Sequence, residues 1–137
     1  MAVIKSIHAY EIMDSRGFPT IEGQLTLDNG KVVTTSIPSG SSIGKHEALE
    51  LRDQDPKRFD GFGVTQAISY VNELIAPKLV GISPLKQRDI DYWLIKADGT
   101  PNKSKLGSNT TLTISQLIAK AGAADQNMNL FQYINSL

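Results

Sequence analysis

The sequence predicts an α+β fold: a three-stranded antiparallel β-meander followed by a layer of helices packed on one sheet face. Two observations carry this expectation. Apolar residues alternate with polar ones in the first third of the chain, then recur at helical spacing after residue 63. Strands come first and helices afterwards, without the alternation that builds a parallel sheet.

Taken in order, Val3 to Ile12 reads as the first strand. Ile21, Gly23, Leu25 and Leu27 alternate with Thr20, Glu22, Gln24 and Thr26, the period of a second strand with one wet face. Asp28-Asn29-Gly30 then marks a hairpin, because Asn and Gly both accept positive φ, and Lys31 to Ile37 returns as a β-branched third strand. A glycine- and serine-rich stretch follows. Val64, Ala67, Ile68, Val71, Leu74 and Ile75 fall on one helical stripe, which Pro77 is expected to end. Ser83-Pro84 reads as an N-cap with proline at the first helical position, opening a helix that carries Ile90, Trp93 and Leu94. Asp98-Gly99 closes it. A last helix starts near Ser108-Asn109 and turns Ile114, Leu117, Ile118 and Ala121 inward.

Composition sets limits without naming a function. A chain of 137 residues is one domain with an ordinary core. Fourteen basic and fourteen acidic side chains cancel, so no electrostatic footprint for nucleic acid or an anionic membrane is present. The absence of cysteine excludes disulfides and a thiol nucleophile and suits a reducing compartment. Met1 to Lys5 lacks the apolar core of a signal peptide, and no apolar run approaches the roughly 20 residues that span a bilayer. The expectation is a soluble cytoplasmic protein.

The chemistry concentrates in Pro38-Ser39-Gly40-Ser41-Ser42-Ile43-Gly44-Lys45. Gly40 and Gly44 permit backbone angles closed to other residues, and Ser39, Ser41 and Ser42 carry hydroxyls that can reach a phosphate or a hard cation. A polar loop of this kind suits a lid over an anionic ligand; the plainer reading is a solvated turn.

Two further blocks accompany it: Asp14-Ser15-Arg16-Gly17-Phe18-Pro19-Thr20 upstream and Asp98-Gly99-Thr100-Pro101-Asn102-Lys103-Ser104-Lys105-Leu106-Gly107-Ser108-Asn109 downstream, the latter leading into the small-residue run Ala119 to Ala124. In this order and at these spacings the three blocks resemble the N-terminal domain of enolase (phosphopyruvate hydratase). The resemblance extends from Val3 to Ile134, where Leu130-Phe131-Gln132-Tyr133-Ile134 matches the family's exit from the domain. It implies that residues 1–137 form a capping and lid domain, and that the β/α barrel bearing the catalytic base, the acid and the main metal carboxylates is absent from this chain.

For the whole enzyme the resemblance implies a lyase of glycolysis that interconverts 2-phosphoglycerate and phosphoenolpyruvate with loss of water. It implies Mg²⁺ as cofactor, the protein's own C-terminal barrel as partner, and a homodimer or higher homo-oligomer. It assigns Ser39, Gly40, Ser41, Ser42, Ile43 and Gly44 to the substrate lid, Ser42 to the second Mg²⁺, and Arg16 to an ion pair across the dimer interface. No catalytic residue is expected in this segment, which alone should be inactive. A free-standing interaction module that kept the cap fold and lost the chemistry is the alternative.

Two positions depart from the family pattern. Ile43 stands where threonine is usual, removing a hydroxyl from the lid, and Phe18 stands where asparagine is usual, with its effect expected on packing or the subunit contact. Other candidates have plainer readings. His46 lies on a polar stretch and His8 in a strand, each better read as solvated or packed than as acid, base or ligand. Glu47, Glu50, Asp53 and Asp55 read as a solvated acidic face near a helix start, not a metal cluster. Gly61-Phe62-Gly63 lacks the full dinucleotide fingerprint. Arg16 has a local alternative, a turn salt bridge with Asp14.

Overall fold

In the computed structural model, which describes residues 1–40 and 44–137, strands β1 (Ile4–Met13), β2 (Pro19–Leu27) and β3 (Val32–Ser36) form one antiparallel sheet in the order β1-β2-β3. The register pairs Ala9 with Gly23 and Gly23 with Thr35. The helices follow: α1 spans 65–79, α2 Gln87–Asp98, α3 Ser108–Asp125 and α4 Leu130–Ser136. The α+β meander with a helical layer is therefore as the sequence predicts.

The inward stripe of β2, Ile21, Gly23, Leu25 and Leu27, is buried against α3, which lies across β2 and β3. Gly23 sets the distance between them. A Cβ there would stand 2.8 Å from Thr113 Cγ2 and 2.9 Å from a Leu117 methyl, so only glycine allows this approach. Ile114, Leu117, Ile118 and Ala121 of α3 are buried, as their spacing predicts. Thr20, expected on the wet face, is instead buried, its hydroxyl donating to the Ile37 carbonyl. That bond ties the end of β3 to the start of β2.

The hairpin differs from the expected Asn-Gly turn. Gly30 takes positive φ (87°) while Asn29 does not, and the Gly30 N–H donates to the Leu27 carbonyl at 3.0 Å. A type I turn followed by a left-handed glycine makes a three-residue connection, in which one positive φ suffices.

Helix α1 runs through Pro77 instead of ending there. It consists of α-helical Thr65–Ser69, a π-helical stretch Tyr70–Ile75 and α-helical Ala76–Leu79. The wider π turns shift the hydrogen-bond partners just before the proline, which has no N–H to give. They also change the buried stripe: Ala67, Val71, Ile75 and Leu79 face inward at intervals of four, whereas Leu74 is exposed. The same stretch presents Asn72, whose side chain accepts from the Ala9 N–H (2.7 Å) and donates to the Ala9 carbonyl (2.9 Å). Together with the Ile4–Ile82 and Gly81–Ile4 backbone bonds, Asn72 covers the free edge of β1.

Helix α2 starts later than expected. Ser83 to Lys86 forms a turn, with the Lys86 N–H on the Ser83 carbonyl, and the helix opens at Gln87. Gly99, left-handed at φ 71°, closes it as expected. The acidic residues 47–55 lie in irregular chain, and one of them serves a helix start. Asp53 reaches forward to the start of α1, its carboxylate accepting from the Thr65 N–H (2.9 Å), the Thr65 hydroxyl (2.7 Å) and the Gln66 N–H (2.9 Å). It caps that helix from 12 residues upstream.

Candidate functional site

The loop that follows β3 is anchored at both ends. At its start, Ile37 N–H donates to the Ile21 carbonyl at 2.9 Å, holding the chain to the sheet up to Pro38. The next residue, Ser39, is held by two guanidinium groups. Arg16 donates to its carbonyl and its hydroxyl, each at 3.2 Å, and Arg52 donates to the hydroxyl at 3.1 Å.

Each arginine is positioned by its own segment. Arg16 rides on a tight turn built by Asp14, whose carboxylate accepts from the Arg16 N–H (2.8 Å) and the Phe18 N–H (2.9 Å), with Gly17 at φ 79°. Those bonds, the one from Phe18 first, hold the Asp14 carboxyl below its ordinary range. The Arg16 guanidinium lies 3.6 Å from Asp14 and over the Phe18 ring at 5.4 Å. The Arg52 side chain is only 13% exposed. It also donates to the Pro19 carbonyl, the Phe62 carbonyl (2.7 Å) and Glu50 (2.8 Å). A planar fork is needed to reach so many acceptors at once.

At the far end, Gly44 N–H donates to Glu47 Oε2 at 2.9 Å. The chain then attaches to the downstream block. Leu49 N–H donates to the Asn102 carbonyl (2.8 Å), and Ser108 N–H to the Leu49 carbonyl (2.7 Å). The Asn109 side chain both accepts from the Leu51 N–H (3.0 Å) and donates to its carbonyl (2.9 Å). Asp98 organises this block from inside. It is 2% exposed and accepts from Thr100 N–H (2.9 Å), the Thr100 hydroxyl and Leu106 N–H (2.7 Å). Burial pushes its carboxyl up, but these donors outweigh burial and leave it below the ordinary range.

The three sequence blocks therefore meet in space. Between them lies an open cavity of about 470 Å³, with Arg16, Arg52 and Lys45 among its polar walls and Phe18, Phe62 and Leu49 among its apolar ones. Phe18 packs edge-on against Phe62 at 5.1 Å, so it contributes an aromatic wall to the cavity. Of the expected lid, Ser39, Gly40 and Gly44 line the cavity; Ser41, Ser42 and Ile43 lie outside the described residues.

Among the described residues, no group of three His, Asp or Glu side chains is placed to hold a metal ion. His46 is exposed, and His8 is exposed and stacked with Tyr10 on β1 at 6.1 Å. Glu11, unremarked in the sequence, holds Arg58 through both guanidinium nitrogens and accepts from Val64 N–H at 2.9 Å. The Arg58 contact comes first among the causes that lower its carboxyl. Arg52 carries no local signal, because its partners Pro19 and Ser39 lie far away in the chain. Asp98 and Asn109 stand in the downstream block, but the block does not announce that Asp98 accepts from residues 100 and 106 or that Asn109 pairs with Leu51.

Sheet, helical layer and doubly anchored loop define an α+β domain organised around one glycine–serine segment. Residues 4–134 match the family described as "Enolase, N-terminal domain". The chain is 48% identical to the enolase of Ehrlichia canis (strain Jake) over 134 residues, 98% of this chain and 32% of that relative. It is 47% identical to the enolase of Anaplasma phagocytophilum (strain HZ) over 137 residues, and 48% identical to that of Mycoplasma genitalium over 133. The chain belongs to the enolase N-terminal domain family. It spans about a third of the length of these relatives. Among the described residues, no helix is long and apolar enough to cross a membrane.

Proposed function

We propose that residues 1–137 are the capping and lid domain of an enolase, a cytoplasmic lyase that interconverts 2-phosphoglycerate and phosphoenolpyruvate with loss of water. The observation that carries this reading is the meeting of the three blocks at Arg16, Ser39 and Asn102 around one cavity, in a chain that matches enolases over nearly its whole length. The domain's part is to hold and cover. Arg16 and Arg52 fix the residue from which the loop departs, and Gly40 and Gly44 supply its backbone freedom. Residues 39–44 then exclude water from an anionic substrate held by a C-terminal barrel.

Magnesium, when bound, supplies the positive charge that proton removal next to a carboxylate requires. On this reading Ser42 offers it one hydroxyl oxygen, suited to a hard cation that keeps few protein ligands. The base, the acid and the main carboxylates belong to the barrel. Arg16, its side chain 41% exposed despite the Asp14 and Ser39 contacts, is left accessible for an ion pair across a homodimer interface.

The test is Ser42→Ala in the full-length enzyme. Turnover, followed by the ultraviolet absorbance of phosphoenolpyruvate, should fall at least tenfold at saturating 2-phosphoglycerate. The tighter Mg²⁺ binding step should survive in calorimetry. Unchanged turnover would remove Ser42 from the metal and the loop from the lid.

A further inference from the structure

On the side of the domain away from the loop, the end of α1, the turn after it and the first half of α2 enclose a cleft of about 540 Å³. That lies within the range of small-ligand sites. Its interior is apolar: Leu79 and Ile90 are each 3% exposed, with Ile82 and the Trp93 ring partly buried beside them. Its rim is cationic. Lys78 and Lys86 both line the cleft and are exposed, and no carboxylate lies within salt-bridge distance of either among the described residues. Lys78 Nζ sits 6.0 Å from the centroid of the Trp93 ring, which marks the apolar wall as the face of an aromatic plane.

The parts differ in what they attract. The indole and the aliphatic floor favour a flat or aliphatic body, and the two unpaired ammonium groups favour a negative group at its end. Asp89, also on the rim, is a single acidic group against two cations and repels an anionic ligand less than they attract it. We propose that this cleft is a binding site for a small organic anion, with an apolar or aromatic body against Trp93 and a carboxylate between Lys78 and Lys86. The site is independent of the loop and of the enolase reading, since it shares no residue with the cavity at Arg16 and Arg52.

Trp93 is the chain's one tryptophan, so it reports on the cleft without labelling. The test follows its indole N–H signal by NMR during titration of the 137-residue chain with three probes. These are 3-phenylpropionate, the neutral 3-phenylpropan-1-ol, and inorganic phosphate. The expected result is a saturable shift with the acid, about tenfold weaker binding of the alcohol, and no saturable shift with phosphate alone. The double variant Lys78→Gln/Lys86→Gln should weaken the acid roughly tenfold and leave the alcohol unchanged. Both lysines are exposed, so the variant's dispersed spectrum checks that it folds. Equal binding of acid and alcohol, equal binding by the double variant, or an equal response to phosphate alone would overturn the proposal.

Discussion

At the scale of single residues, the side chains that shape this domain are polar groups satisfied by hydrogen bonds within the protein. Asp98 is the clearest case. At 2% exposure its carboxylate is out of water, and three donors from residues 100 and 106 replace its hydration. Asp98→Asn offers one acceptor where two oxygens are used and turns an N–H toward an N–H. The expected cost is about 2 kcal/mol of unfolding free energy, measured by urea denaturation near neutral pH. The pH dependence follows in sign. The carboxyls of Asp98, Asp53 and Glu11 all lie below their ordinary values of 3.8, 3.8 and 4.5. Depressed folded-state values mean that the unfolded chain binds protons first. The stabilisation is therefore complete above the ordinary values and is lost as pH falls through the depressed ones. Thermal midpoints should be flat from pH 7 to about 5.5 and fall below about 4.5, and the gap between wild type and Asp98→Asn should narrow along that fall. A gap that stays constant to pH 2 would contradict the role of the charge. Arg52→Lys keeps charge but loses the fork that reaches Pro19, Phe62, Ser39 and Glu50; it should cost about 1–2 kcal/mol by the same measurement.

At the scale of elements, packing overrides propensity where two elements approach closely. Gly122 lies in the last turns of α3, where alanine normally gains about 1 kcal/mol over glycine. Here a Cβ would overlap the Tyr133 phenol of α4, so Gly122→Ala should destabilise by about 1–2 kcal/mol instead, with loss of α4 protection in hydrogen exchange. The Tyr133 hydroxyl that crowds this site is buried without a protein partner, and burial, then Asp125, pushes its pKa up. Tyr133→Phe removes an unpaired polar atom and should be neutral or stabilising in the same denaturation series. The pair also shows what the sequence makes readable. Periodicity reports which face of a helix or strand is apolar, a local property, and on that basis Leu25, Leu117 and Ala121 were placed correctly. It does not report which hydrogen bonds a helix exchanges for tertiary ones. Pro77 therefore read as a stop, when the π turns around Asn72 carry the helix past it to β1. Asp53 read as surface for the same reason, since its helix begins 12 residues away. The loop was legible from its glycines and hydroxyls, and the arginines that hold it were not, because residues 16 and 52 meet only in the folded chain.

At the scale of the whole molecule, the sheet and helices share one core. It runs without interruption from Ala2 and Ile4 through Leu25 and Val71 to Leu94 and Ala121. One contiguous core in 137 residues unfolds as one unit, because no subset of elements can leave without exposing β2 or α3. Yet large side chains remain outside it: Phe131 is 71% exposed, Tyr92 65% and Ile134 55%. If a barrel covers such surface in the full enzyme, the isolated chain should still fold, with a single sigmoidal transition coincident by circular dichroism and fluorescence. The chemistry separates from the fold at this scale. Proton removal beside a carboxylate needs a base and a concentrated positive charge, and on the proposed reading both belong to a C-terminal barrel. The purified 137-residue chain should therefore form no phosphoenolpyruvate from 2-phosphoglycerate with Mg²⁺ present, and should regain no activity when Ser42 is the only residue varied. A broad, non-sigmoidal melt would break the link between one core and one transition. Turnover that persists after removal of host enolase would place the base within these residues and not on a barrel.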